Sequence, residues 1–351
     1  MKMIKIIYFA VFVIFSNFLN AQKNYEFTTV NVLSATSVKN QGMTGTCWCY
    51  SPVSLFESDL IKKGFKDIDL SEMYIVRKAY TEKAAMYVRM HGKSNFDQGG
   101  ETHDALNVIR KYGIMPQSAY DGKNNKEEVY NHAKLIVELK TYLDTLIVNK
   151  ADKLPVDWLK DYELILDKYF GVVPASFEYN GDSYSAKSFL NNYLKINPDD
   201  YVEFSSYSHH PFNQKFFLEI PDNWSFDLYN NIPIDDLIQV IDSSILKGYT
   251  VAWGGDVSEI EFSTKKAIAI IPAKEWSNKS EQEREKTCVI KEDELNITQE
   301  MRQTTFDNYT STDDHFMHII GIAIDQLGDK YYITKNSWGS VGAKNGFIYL
   351  S

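Results

Sequence analysis

The 351-residue sequence predicts an α+β protein whose helices come first and whose strands come last. Three observations carry that expectation. Between Cys47 and about residue 118 the apolar positions recur at helical spacing, and after Gly248 they fall into short strand-like runs broken by Gly and polar turns. Residues 119–245 lie between, rich in Lys, Asp, Asn and Tyr, with helical pieces separated by loops. At 44% hydrophobic and 24% charged, the chain can bury one large core or two ordinary ones.

The elements follow in order. Residues 1–21 begin with Lys2 and Lys5, continue through an apolar run from Ile6 to Phe15 and reach the small residue Ala21, which is the pattern of a secretory signal. That apolar run is shorter than the roughly 20 residues that cross a bilayer, so the expectation is an exported protein, periplasmic or extracellular, without a stable membrane span. Phe27 to Val38 reads as extended, and the turn-rich Asn40 to Thr46 leads into a helix stopped by Gly64. Pro52 falls inside that helix, where it removes one N–H bond and predicts a local kink. Helices are expected at 71–90 and 103–112, then at 126–149, 157–169, 186–195 and 234–247. Strands are expected at 250–253, 319–324, 330–335 and 346–350, and the charged stretch Ser277 to Glu294 as a solvated loop or exposed helix. The predicted organisation is a signal segment (1–21), a helical lobe (22–118), an insertion or subdomain (119–245) and a β lobe (246–351).

Composition narrows the chemistry. The net charge of −10 comes without a basic cluster, so no surface tracks nucleic acid. Three cysteines, Cys47, Cys49 and Cys288, are too few to staple a chain of this size, although a Cys49–Cys288 bridge stays open. No metal is expected. His209 and His210, read as neighbours on an extended segment, point to opposite sides, and neither they nor His91 with His103 come with a carboxylate or cysteine that completes a ligand set. No cofactor is implied.

Gly45-Thr46-Cys47-Trp48 places a thiol where a loop turns into a helix, so that the free N–H groups of the helix end favour thiolate. His318 stands at the entrance to an apolar strand, where it can take the thiol proton, and Asn336, at the end of the next strand, can orient the ring. His315 competes with His318 for this role; Met317 and the apolar run directly after His318 favour His318. A redox reading of Cys47-Trp48-Cys49 leaves Gln41, His318 and Asn336 unexplained, and its cysteine spacing is wrong for that chemistry.

Val38-Lys39-Asn40-Gln41-Gly42 through Cys47-Trp48, Met317-His318-Ile319-Ile320 and Lys335-Asn336-Ser337-Trp338-Gly339, in this order, resemble the papain-like cysteine peptidases. The resemblance implies a two-lobe fold, helical lobe against β-barrel lobe, with a large, mostly helical insertion. It implies Cys47 as nucleophile, His318 as general acid/base, Asn336 as its orienter and Gln41 as side-chain donor of the oxyanion hole. Trp338 would shield the Asn336–His318 bond, and Gly99-Gly100 would present bare backbone to a substrate chain.

Cys47 and His318 are 271 residues apart, against roughly 130–150 in plain papain-like domains, and the nucleophile follows the signal cut too closely for an inhibitory propeptide. Both features resemble the bleomycin hydrolase and aminopeptidase C branch, as do Leu228-Tyr229-Asn230-Asn231-Ile232-Pro233-Ile234-Asp235, Gly255-Asp256-Val257 and Asp314-His315-Phe316-Met317-His318-Ile319. That branch implies peptide substrates, aminopeptidase action and a hexameric cage. Its cleft-filling C-terminal arm has no counterpart in the thirteen residues after Trp338, which leaves open-cleft endopeptidase action, or a silent peptide-binding relative, as alternatives.

Overall fold

The computed structural model describes residues 23–124, 129–148 and 153–351, so the expected signal segment lies outside the described residues. The first strand, β1 (Thr28–Val32), is followed by α1 (Cys47–Lys62), α2 (Glu72–Arg89), α3 (Thr102–Tyr112), α4 (Ala133–Val148) and α5 (Trp158–Phe170). A hairpin of β2 (Phe177–Tyr179) and β3 (Asp182–Tyr184) leads to the short helix α6 (Ala186–Ser188), which continues as a π-helical turn to Leu194. Then come β4 (Phe204–Ser205), β5 (Gln214–Phe217), β6 (Leu228–Asn231) and α7 (Ile234–Leu246). The C-terminal part contains β7 (Val251–Gly255), β8 (Phe262–Ser263), β9 (Ile268–Ala269), α8 (Glu281–Lys286), α9 (Gln299–Asp307), β10 (His315–Ile324), β11 (Lys330–Lys335) and β12 (Phe347–Leu350). Among the described residues no helix is long and apolar enough to cross a membrane.

α1 is the pivot of the molecule. The Thr46 carbonyl accepts from the amides of Cys49 and Tyr50 at 2.9 and 3.3 Å, which starts the helix, and Gly64 beyond its end takes the left-handed conformation that stops it, as the sequence predicts. The helix runs unbroken through Pro52. It is buried on nearly all sides because one face meets α2 and α3 and the other meets β10.

The helical core is continuous well past residue 118. Leu135, Leu139 and Leu143 of α4, Tyr162 and Leu166 of α5, and Phe189 share one apolar cluster with Trp48, Phe56, Leu60 and Tyr80, and Phe316 of β10 closes it. The segment read as an insertion thus divides physically: up to residue 196 it completes the helical core, residues 204–231 form a separate three-stranded sheet in the order β4-β6-β5, and α7 packs Ile241 and Ile245 on Ile319, Ile322 and Tyr332 of the large sheet.

That sheet follows the path β1-β10-β11-β12-β9-β8, with β7 also paired to β10. Where a barrel is implied by the resemblance, the hydrogen-bonded path among the described residues does not join β8 to β1. β10 carries the site. Its first half pairs with β7 and its second half with β1, while β11 pairs along its other edge. The charged stretch at 277–294 contains the exposed helix α8, capped by Ser280, whose Oγ accepts from the Glu283 amide.

Candidate active site

Cys47 is the first residue of α1 and is buried. The backbone N–H groups of Phe316 and Trp48 point at its sulfur, yet burial pushes the thiol up to about 12, with Asp313 and Asp222 adding to the rise. The helix end alone therefore does not hold a thiolate here.

The structure places Asn336 and Trp338 against His315, not against His318 as expected. His315 Nε2 lies 2.7 Å from Asn336 Oδ1, and the Trp338 ring covers His315 with centroids 4.4 Å apart. His318 meets neither residue. Its Nδ1 lies 2.8 Å from Ser54 Oγ on α1, which in turn accepts from Lys335 Nζ at 2.7 Å. The reason is the period of a strand: side chains alternate between faces, and positions three apart fall on opposite sides. His318 pairs across the ladder with Lys335. Asn336, one residue on, therefore shares the face of Met317 and His315. Burial, with Lys335 beside it, holds the His318 ring neutral, and burial brings His315 down to about 4 against the opposing Asn336 bond.

Gln41 reaches the same place through a zipped loop. Its backbone N–H donates to the Ser337 carbonyl at 2.8 Å, its Oε1 accepts from Ser337 Oγ at 2.6 Å, and its Nε2 donates to the Thr44 carbonyl at 2.6 Å. Gly339 N–H closes the zipper on the Lys39 carbonyl at 3.0 Å. Gly42 makes the turn possible. Its φ is +67°, and a Cβ there would stand 2.5 Å from the Tyr130 carbonyl oxygen.

Gly99 and Gly100 lie against the start of α1. Trp48 Nε1 donates to the Gln98 carbonyl at 2.9 Å, and the bare face of Gly100 receives the Trp48 ring. The bare face of Gly99 is occupied by the Asp222 carboxylate, which accepts from Asn95 Nδ2 at 2.8 Å. Asp222 was not singled out in the sequence; nor were Asp313, which burial raises to about 6, and Glu101, which burial and Asp313 raise while the Tyr229 hydroxyl donates to it at 2.5 Å. The only sequence signal was the acidic pair directly before His315. These carboxyls, with Phe316, line a cleft of 1750 Å³.

The same chain matches the family model described as the Peptidase C1-like family over residues 173–351, and the one described as Papain family cysteine protease over residues 22–156. The chain belongs to the Peptidase C1-like family. It is a papain-like cysteine peptidase of the bleomycin hydrolase and aminopeptidase C branch. It is 22% identical to Aminopeptidase G of Lactobacillus delbrueckii subsp. lactis, over 91% of this chain and 78% of that protein. It is 24% identical to Aminopeptidase C of Listeria monocytogenes over 90% and 76%, and 23% identical to human Bleomycin hydrolase over 66% and 61%. The crystal structure of PepW from Lactobacillus rhamnosis superposes with a TM-score of 0.71 at 20% identity, covering 92% of this chain and 78% of that one, which shows the α+β papain-like fold.

The structure closes one open alternative for this peptidase and changes one expectation. All three cysteines are free; Cys49 is buried in the helical core and Cys288 packs with Ile268, Ile270 and Tyr331 in a separate apolar cluster, so the two are not bridged. His209 and His210 do not diverge. They sit in a turn, with ring centroids 4.5 Å apart, and both face the Glu219 carboxylate that sequence reasoning did not bring to them.

Proposed function

We propose that this peptidase removes residues from the amino end of peptides, with Cys47 as nucleophile, His315 as general acid/base, Asn336 orienting His315, and Gln41 with the Cys47 N–H as oxyanion donors. The observation that carries the reading is the His315–Asn336 bond of 2.7 Å under Trp338, on a strand whose next N–H faces the Cys47 sulfur. Asn336 Oδ1 can only accept, so His315 carries its proton on Nε2 and leaves Nδ1 as the base. With the thiol pushed up to about 12 and the imidazole down to about 4, each group taken alone is neutral.

Nδ1 of His315 takes the thiol proton as sulfur bonds to the scissile carbonyl carbon, and the carbonyl electron pair moves to oxygen, where the donors meet it. The C–N bond then breaks, the proton passes from His315 to the leaving amine, and water, deprotonated by the same ring, releases the acyl group and restores the thiol. The names of the relatives support amino-end cutting, as do Asp222 and Asp313, whose carboxylates would face the α-ammonium of a peptide seated in the cleft.

Export belongs to the same proposal and rests on residues 1–21 of the sequence, and assembly into a homo-oligomer rests on the resemblance to the branch. Mass spectrometry of a peptide library digested by the purified protein, with Cys47→Ala as control, tests the activity. Single residues should be lost in turn from free amino ends and not from acetylated ones. Internal cuts in acetylated peptides would establish the endopeptidase reading instead, and cleavage that survives in Cys47→Ala would overturn the mechanism.

A further inference from the structure

His209 and His210 lie in the turn between β4 and β5, and Glu219 lies two residues beyond the end of β5. His209 Nε2 is 3.0 Å from Glu219 Oε2, and His210 Nε2 is 2.7 Å from Glu219 Oε1. One potential ligand atom from each of the three residues falls within 4.8 Å of the others. All three side chains are partly open to solvent, and His209 and Glu219 face the large cleft.

Adjacent histidines converge only where the backbone is held for it, and the holding is visible. Asn231, fully buried on β6, donates its amide to the carbonyls of Tyr207, His210 and Pro211 at 2.8, 3.0 and 3.2 Å, and its Oδ1 accepts from the Tyr207 N–H at 2.9 Å. The His209 ring stacks on Phe306 of α9 at 5.4 Å. Its other nitrogen, Nδ1, meets Gln303, with the amide nitrogen at 3.0 Å and the amide oxygen at 3.3 Å. A metal-bound His209 must carry its proton on Nδ1, and Gln303 Oε1 stands there to accept it. Gln303 is itself fixed, accepting from the Ser208 N–H at 2.6 Å and donating to Asp307 at 2.8 Å.

We propose that His209, His210 and Glu219 form a binding site for a divalent transition-metal ion such as Zn²⁺, with open coordination toward solvent at the rim of the cleft. Two imidazole nitrogens and a carboxylate are a ligand set that suits Zn²⁺, Co²⁺, Ni²⁺ or Cu²⁺ and not Mg²⁺ or Ca²⁺. Ligand atoms on a tetrahedral Zn²⁺ stand roughly 3.4 Å apart, so Glu219 need move outward only slightly from its present contacts. The ion would tie the 206–213 turn to the end of β5, and through Gln303 to α9. It takes no part in the thiol chemistry, and the inference does not rest on the aminopeptidase reading.

Titration of chelator-stripped full-length protein with Co²⁺, followed by visible absorption, tests it, with displacement by Zn²⁺ giving the affinity of the second ion. One ion should bind per chain with a spectrum of nitrogen and oxygen ligands and no thiolate charge-transfer band. His210→Ala and Glu219→Gln should abolish stoichiometric binding, and Gln303→Ala should weaken it about 10- to 100-fold, the usual effect of losing an outer-shell partner. Far-UV circular dichroism confirms that the partly exposed His210 and Glu219 variants, and the variant at the buried Gln303, remain folded. Absence of one-to-one binding by the folded wild type, a thiolate band, or affinity unchanged in His210→Ala would overturn the site.

Discussion

His315 and His318 differ by three positions on one strand, and in the proposed mechanism that difference separates the base, bonded to Asn336, from a ring packed against Ser54. In the proposed mechanism His315→Ala removes the base and leaves the fold, so turnover and the rate of Cys47 alkylation by iodoacetamide should both collapse. His318→Gln should do the reverse. It disturbs a fully buried ring hydrogen-bonded to Ser54, at a cost of about 1–3 kcal/mol in urea unfolding, while turnover per folded molecule stays close to wild type. Activity lost in His318→Gln and kept in His315→Ala would restore the assignment the sequence favoured. Gln41 makes a third residue-scale test. One of its two amide hydrogens is committed to the Thr44 carbonyl, which aims the other, so Gln41→Ala should lower kcat by about 10² to 10³ with a much smaller change in KM.

At the scale of elements, the site is a junction of three pieces: the start of α1, the start of β10, and the Gln41 loop zipped to the turn after β11. The zipper depends on Gly42. Replacing it with alanine forces a side chain into the left-handed region, which costs about 1–2 kcal/mol, and sets a Cβ against the Tyr130 carbonyl. Gly42→Ala should therefore lower the urea midpoint and also reduce kcat, because Gln41 is the next residue; a variant that unfolds earlier but turns over normally would show that the loop does not position the donor. Much of this junction was legible in the sequence. Cys47 at a helix start, Gly64 as its stop, the strands at 330–335 and 346–350, and Asn336 with Trp338 beyond a strand end are all local signals that the structure repeats. The histidine was not, since its choice turns on ladder register, which pairs His318 with Lys335 and is set by residues far apart in the chain. Nor was Asp222 against Gly99, or Glu219 between His209 and His210, because both are contacts made by chain folding back in the 204–231 region.

Across the whole molecule, two sets of buried titratable groups pull stability in opposite directions with pH. His132, His315 and His318 are neutral in the fold, with His132 and His315 each brought down to about 4 by burial. A group whose folded pKa lies below its unfolded value of 6.5 contributes stability that is complete above 6.5 and lost as pH falls toward about 4. Glu72, raised to about 7 by burial, and Asp313, raised to about 6 by burial, act with the other sign: their contribution is complete below the ordinary carboxylate range and lost as pH climbs through those values. The sets overlap near pH 5–6, so a single variant is needed to separate them. His132 is suited to that, since its ring packs between Tyr80 and Phe170, hydrogen-bonds the Tyr80 hydroxyl at 3.2 Å, and takes no part in the proposed chemistry. With His132→Gln, the stability difference from wild type should be constant above pH 6.5 and should then move in the variant's favour by about 1.4 kcal/mol per pH unit down to about pH 4, roughly 3 kcal/mol in all. Urea unfolding at half-unit steps of pH reads this directly, and a difference that stays flat through the window would mean that His132 protonates within the native fold at its ordinary pKa.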